Sequence, residues 1–282
     1  MSAVGKLIYI FFFFNFNLIN IKKMFSKFEN KNPEVDIIMP NYNKGQFLEK
    51  TINSVITQTY KNWHLYIIDD NSTDNSVEVL NKFSSLKNIT IAKLHKNKGP
   101  AFCRNYGMRI SQSKYIAFID SDDGWSNNKL EKQISFMEKN NFNFTYTDYT
   151  PFFEINGKKN FKKKTNIKNY FDYESFIKNS SINTTTMIIR RSILRNHRFK
   201  KIKMHEDYLF KCKILKNNNI ANKLNENTAF YRILNKSRSR KRLQSIYWLW
   251  YINRNFNKIN FIKNLILIIF VIINSIKKYG IK

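Results

Sequence analysis

Cysteine, glycine, proline and acidic side chains are all scarce in this chain. Its 282 residues include two cysteines, seven glycines and four prolines. Cys103 and Cys212 lie far apart with no metal-ligand spacing, which excludes a disulfide framework and a zinc module. Both read as core residues of a protein at home in a reducing cytoplasm. Hydrophobic residues make up 43% and aromatics 16%, which excludes a disordered chain and supports a sizeable core.

The shortage of acids is the loudest compositional fact: 20 Asp and Glu face 49 Lys and Arg, a formal net charge of +29. From residue 175 onward, 24 Lys and Arg meet only Glu206, Asp207 and Glu226. Such a surface seeks polyanions, either nucleic acid or anionic lipid headgroups. Part of the bias is general, since Lys, Asn, Ile and Phe abound throughout.

Long apolar runs are also missing. "LIYIFFFFNFNLINI" (7–21) is short for a span, is broken by asparagines and lacks a small-residue cleavage site. Met24 follows it, so residues 1–33 read as a leader upstream of a start at Met24, with a short signal anchor as the alternative. "FIKNLILIIFVIINSIKKYGIK" (261–282) is broken by Asn264 and Asn274 and flanked by lysines. It suits a helix lying in a membrane interface with its basic residues on headgroups.

From Val35 onward, short apolar runs alternate with amphipathic segments. "VDIIMP" (35–40), "HLYIIDD" (64–70), "NITIAKL" (88–94) and "KYIAFID" (114–120) read as strands. The segments "KGQFLEKTINSVITQ", "NSTDNSVEVLNKF" and "GPAFCRNYGMRIS" between them read as helices. This alternation predicts an α/β fold with a mostly parallel sheet flanked by helices. Ligands bind such sheets beyond the carboxyl ends of the strands, where Pro40-Asn41-Tyr42, Asp69-Asp70 and Asp120-x-Asp122 all fall. Beyond Tyr149 the pattern predicts a basic loop or hairpin (157–169), strands at 184–191 and 228–233, and helices at 205–218 and 243–256.

"FIDSDDGW" (118–125) crowds Asp120, Asp122 and Asp123 at one strand end. Like charges so close cost stability unless a cation sits among them, and hard oxygen ligands suit Mg²⁺ or Mn²⁺. The plain alternative is an acidic turn capping the next helix. These residues alone leave both readings open.

Taken in order, "VDIIMPNYNKGQFLEKTINSVITQTYKNWHLYIIDDNSTDNS", "NKGPAFCRNYGM", "YIAFIDSDDGW" and "HEDYLF" resemble the family 2 glycosyltransferases. The likeness is greatest to members that build bacterial surface polysaccharides of the teichuronic acid, capsule and lipopolysaccharide type. It covers residues 35–240. It implies a GT-A fold over 34–240, with a nucleotide-sugar half (34–125) and an acceptor half (126–240), followed by a basic, aromatic helical extension (241–282). It further implies inverting transfer from a nucleotide-sugar donor, a UDP-sugar, to a saccharide or lipid-linked saccharide. By the same resemblance Pro40, Tyr42 and Asp70 hold the nucleobase and ribose, and Arg104 and Asn105 seat the diphosphate. Asp120 faces ribose and metal, and Asp122 is the principal ligand of a Mn²⁺ or Mg²⁺ ion. Asp123 is either a further ligand or a helix cap. Asp207 is the base for the acceptor hydroxyl, and Glu206 orients it or binds acceptor.

This reading places the protein in the cytoplasm, peripheral on the inner face of the plasma membrane, with an anionic membrane surface as partner. "NKSRSRKR" before Tyr247, Trp248, Trp250 and Tyr251 also fits nucleic acid, which ranks well below membrane or acceptor. A sugar-1-phosphate nucleotidyltransferase would share the sheet and the metal carboxylates. It needs a glycine-rich basic loop after the first strand, which "PNYNKGQF" does not supply.

Overall fold

The first strand, β1 (Val35–Asn41), is apolar on both faces, as a strand covered on both sides must be. In the computed structural model, which describes residues 34–155, 158–194, 196–234 and 242–279, β1 sits centrally in a ten-stranded sheet. The expected leader (1–33) and the basic stretch 235–241 lie outside the described residues.

The first half follows the alternation read from the sequence. After β1 come α1 (Gly45–Ile56), β2 (Trp63–Asp69), α2 (Ser76–Asn81), β3 (Ile89–Lys93), α3 (Pro100–Ile110) and β4 (Tyr115–Phe118). The order β3-β2-β1-β4 is parallel throughout. The carboxyl ends of β1, β2 and β4 therefore open on one side. α3 lies tight against β1: a Cβ added at Gly107 would stand 2.6 Å from the Ile38 side chain.

The second half is mixed. It runs through β5 (Gly124–Trp125), α4 (Lys129–Lys139), β6 (Phe144–Ile155), β7 (Lys158–Phe161), β8 (Tyr170–Phe171) and α5 (Tyr173–Asn179). β9 (Ile188–Arg190), α6 (Glu206–Lys216) and β10 (Ala221–Arg232) complete it. β9 is antiparallel to both β4 and β6, so it stitches the parallel half to the parallel pair β6–β10.

Two expectations need correcting here, and one strand was not foreseen. The strand expected over 184–191 is only Ile188–Arg190, preceded by a 3₁₀ turn at Thr184–Thr186 and followed by another at Arg191–Leu194. The polar side chains before it bond locally, Asn183 accepting from the Thr185 N–H and Thr186 Oγ1 donating to the Asn183 carbonyl, so the ladder starts late. The strand expected at 228–233 is the end of the much longer β10, whose register slips between Leu224 and Ala229. Its polar "NKLNENT" hides the strand period. β6, whose Phe-, Tyr- and Thr-rich run is not among the expected strands, is the strand against which β10 lies.

Two helices close the described chain, α7 (Arg242–Asn255) and α8 (Phe261–Tyr279). They are joined by buried amides: Asn253 donates to Asn264 Oδ1 (3.0 Å), and Asn264 donates to the Trp250 carbonyl (3.1 Å). Asn264, which breaks the apolar run in the sequence, is thus a fully buried clasp. Among the described residues no helix is long and apolar enough to cross a membrane.

Candidate active site

The carboxyl ends of β1, β2 and β4 form one wall of a cleft of about 1520 Å³, whose lining includes Pro40, Tyr42, Asp70, Arg104, Asp120 and Asp122. Glu206 and Asp207 stand on the other wall. The fold thus brings together acids separated by more than eighty positions in the sequence.

On the donor side Asp70 is buried and accepts from the Lys98 N–H (2.7 Å) and the Gly99 N–H (2.8 Å). These bonds hold the turn into α3, where Gly99 takes φ 88°, a conformation that favours glycine. A carboxylate has about four acceptor sites, so Asp70 retains capacity for one more donor. Tyr42 is 46% exposed at the rim, with its ring available as a flat apolar face.

Asp120, Asp122 and Asp123 leave β4 in a tight turn, with the Asp123 N–H donating to the Asp120 carbonyl. Thr51 Oγ1 fastens that turn to α1 by donating to the carbonyls of Ser121 and Asp123. The three carboxylates then part company. Asp122 faces the cleft and pairs with Lys44 Nζ at 2.6 Å. Burial raises its pKa, partly offset by the Lys44 cation. Asp123 points inward, where it accepts from Thr185 Oγ1 and from the Arg232 N–H (2.9 Å). Burial and its two acidic neighbours push its pKa well up. Asp123 is therefore neither a cleft ligand here nor the cap of α4, whose first residue follows Asn128. It ties the turn to β10.

Arg104 also departs from expectation. Its guanidinium is buried, donating to Asp120 (2.8 Å) on one side and to Glu206 (3.2 Å) on the other. It bridges the two acidic groups and is not simply an open diphosphate seat. Asn105 does not line the cleft: its amide is clamped to the backbone of Phe199, donating at 2.8 Å and accepting at 2.9 Å.

The Glu206-Asp207 pair opens α6 directly after His205, whose backbone takes φ 62°. His205 Nε2 meets Ser245 Oγ at 2.8 Å, joining this corner to α7. Asp207 accepts from Thr184 Oγ1 (3.1 Å) and from Lys211 Nζ (2.7 Å). Burial works to raise the Asp207 pKa, but the ammonium of Lys211 overrides it and holds the carboxylate ionised well below the usual range.

Comparison with known proteins settles the class. The model of the family described as "Glycosyl transferase family 2" matches residues 36–198. The chain belongs to glycosyltransferase family 2. It is 30% identical over 235 residues to the putative teichuronic acid biosynthesis glycosyltransferase TuaG of Bacillus subtilis, covering 83% of this chain and 92% of that one. It is 38% identical over 187 residues to the Escherichia coli enzyme WfgD, covering 66% and 72%. That enzyme's full name is UDP-Glc:alpha-D-GlcNAc-diphosphoundecaprenol beta-1,3-glucosyltransferase. Among solved structures, S. aureus TarS (residues 1–349) in complex with UDP-GlcNAc superposes with a TM-score of 0.66 at 17% identity, over 86% of this chain and 73% of that one. The likeness shows the GT-A fold.

Three residues of this family 2 enzyme's cleft escape sequence reasoning. Lys44 follows β1 at the right end of the strand, and that position is its only signal. Lys211 stands four residues after Asp207 on a helix, a spacing that marks an ion pair. Thr184 has no sequence signal.

Proposed function

We propose that this enzyme transfers a sugar, with inversion, from a UDP-sugar to a lipid-linked saccharide in the building of a bacterial cell-surface polysaccharide. It works peripherally on the inner face of the plasma membrane. The observation that carries the reading is the single cleft in which Asp120 and Asp122 face Glu206 and Asp207 across buried Arg104. The names of TuaG and WfgD, and the sugar nucleotide in the TarS complex, support the choice of donor and acceptor.

Asp70 would accept the imide N–H of the base, and Tyr42 would cover its face. Among the described residues no cluster of three or more metal-ligating side chains occurs, so a divalent ion would rest on the hard oxygen donors Asp120 and Asp122, in place of the Lys44 ammonium that now pairs with Asp122. Mg²⁺ or Mn²⁺ takes one or two carboxylates and completes its shell with phosphate oxygens and water. An ion held by Asp120 and Asp122 would supply positive charge to offset that of the departing diphosphate. Asp207 takes the proton of the acceptor hydroxyl as the oxygen attacks the anomeric carbon. Thr184 and Lys211 fix its direction. Glu206, held by Arg104, positions the acceptor or its neighbour.

A panel of sugar nucleotides, assayed for hydrolysis and transfer with and without Mn²⁺ or Mg²⁺, tests the reading. One donor should be consumed only with metal, and Asp122→Ala should abolish that consumption while leaving the fold intact. Full activity in EDTA would remove the metal, and polynucleotide binding with no turnover of any donor would remove the enzyme.

A further inference from the structure

α8 has two unlike faces. Asn264, Leu267 and Ile268 are buried, and Val271 and Ile272 pack against the core. Turned outward are Ile262, Leu265, Ile266, Ile269, Phe270 and Ile273, all exposed. Their spacing is that of one helical face, so they form a continuous apolar stripe. Soluble monomers seldom leave such a patch bare.

The rim of the stripe is basic. Lys258 and Lys263 are exposed at its start. Exposed Lys178 lies at its far end, where Asn274 Nδ2 donates to the Lys178 carbonyl at 3.1 Å. Lys263 pairs with the nearby Glu174 at 3.0 Å, which offsets both charges, so the start of the stripe relies on Lys258. Cations at both ends of an apolar stripe complement a bilayer carrying anionic headgroups. The same arrangement opposes a second copy of this chain, because a two-fold contact would bring like charges together. It also opposes nucleic acid, which offers phosphates but no matching apolar strip. Over its described residues α8 is not long and apolar enough to cross a bilayer, and its other face is already buried on protein.

We infer that the outward face of α8 is the surface by which the chain lies flat on an anionic bilayer. Val271 and Ile272, one step round the same helix, line the candidate cleft together with Leu249 of α7. The element that touches lipid is thus also a wall of the site that would receive a lipid-linked acceptor. This last link rests on the proposed acceptor, whereas the docking itself does not.

The test is co-sedimentation of the full chain with vesicles of phosphatidylcholine and phosphatidylglycerol at a ~7:3 ratio, and with phosphatidylcholine alone. The wild type should bind the anionic vesicles, more weakly at high salt and without phosphatidylglycerol. The combined change of Ile262, Ile266, Ile269 and Ile273 to Gln should lower partitioning at least ~10-fold. Its melting temperature and donor hydrolysis should stay as they were. If the fourfold variant melts early, Ile262→Gln carries the test alone, since Ile262 is the most exposed of the four at 72%, with a ~3-fold drop expected. Wild type that stays in the supernatant overturns the inference, and so does a variant that sediments unchanged. A dimer in light scattering that the substitutions split would give the face to a second copy. Donor turnover without vesicle binding sinks the docking surface and spares the transferase. Vesicle binding without turnover of any sugar nucleotide does the reverse.

Discussion

Asp207 is pulled two ways, by burial toward the neutral acid and by Lys211 toward the anion, and the anion wins. Because its pKa in the fold lies below that of the unfolded chain, the pair's stability is present above the ordinary carboxylate range. It is lost as pH falls through the depressed value. At working pH the group is ionised, and the same ammonium that keeps it so also lowers its basicity. Asp207→Asn should therefore keep near-native affinity for the nucleoside diphosphate, measured by calorimetry, and lose about 10²–10⁴-fold in transfer. Glu206→Gln should be milder, and the opposite order would move the base by one residue. Lys211→Met makes a sharper claim. Without the ammonium the Asp207 pKa should rise from its depressed value, although Arg104 still lowers it, so the acid limb of the rate profile should move up in pH. Transfer near pH 5–6 should then drop more than transfer near pH 8. An unshifted profile with a uniformly lower rate would make Lys211 a packing residue only.

At the scale of elements, the strand ends that carry Pro40, Asp70 and Asp120 were legible because a buried parallel strand is a plain apolar run and its carboxyl end is where ligands meet such a sheet. What those side chains do there was less legible. Asp123 and Asn105 share the sequence neighbourhood of Asp122 and Arg104. They turn elsewhere because Thr185, the Arg232 N–H and the Phe199 backbone claim them. Those partners lie sixty to more than a hundred positions away, and no local pattern announces them. α3 shows the same dependence in its packing. Gly107→Ala would press a methyl group onto fully buried Ile38, so something must shift, at a cost of about 1–3 kcal/mol. Thermal melting should fall by about 2–4 °C for each kcal/mol. Adding Ile38→Val should restore part of the loss. If Gly107→Ala melts as the wild type does, the close approach of α3 to β1 does not constrain the chain.

Across the whole molecule, the two halves meet along β9 and, within the cleft, through Arg104. The strand order β4-β9-β6-β10 joins segments far apart in the chain, so the pairing of β6 with β9 and β10 has no local signal. Arg104 belongs to the first half and holds Asp120 at the end of β4, while its other amino group holds Glu206 at the start of α6. Its planar fork reaches both, which a single ammonium does not. Removing one partner of a fully buried ion pair costs about 3–5 kcal/mol. The Asp120 carboxylate is a third exposed, so water softens that side and the smaller figure applies. Arg104→Met should therefore lower the melting temperature. It should also weaken donor binding through Asp120 and slow transfer through Glu206, raising KM and cutting kcat together. Arg104→Lys should recover stability in part but not both kinetic constants, because the ammonium can serve only one carboxylate well. A lysine variant with both constants near native would show that the bridge is dispensable and that the two acidic groups are placed by their own strands and helix. A loss confined to KM would restore Arg104 to the role its sequence suggests, a seat for the diphosphate alone.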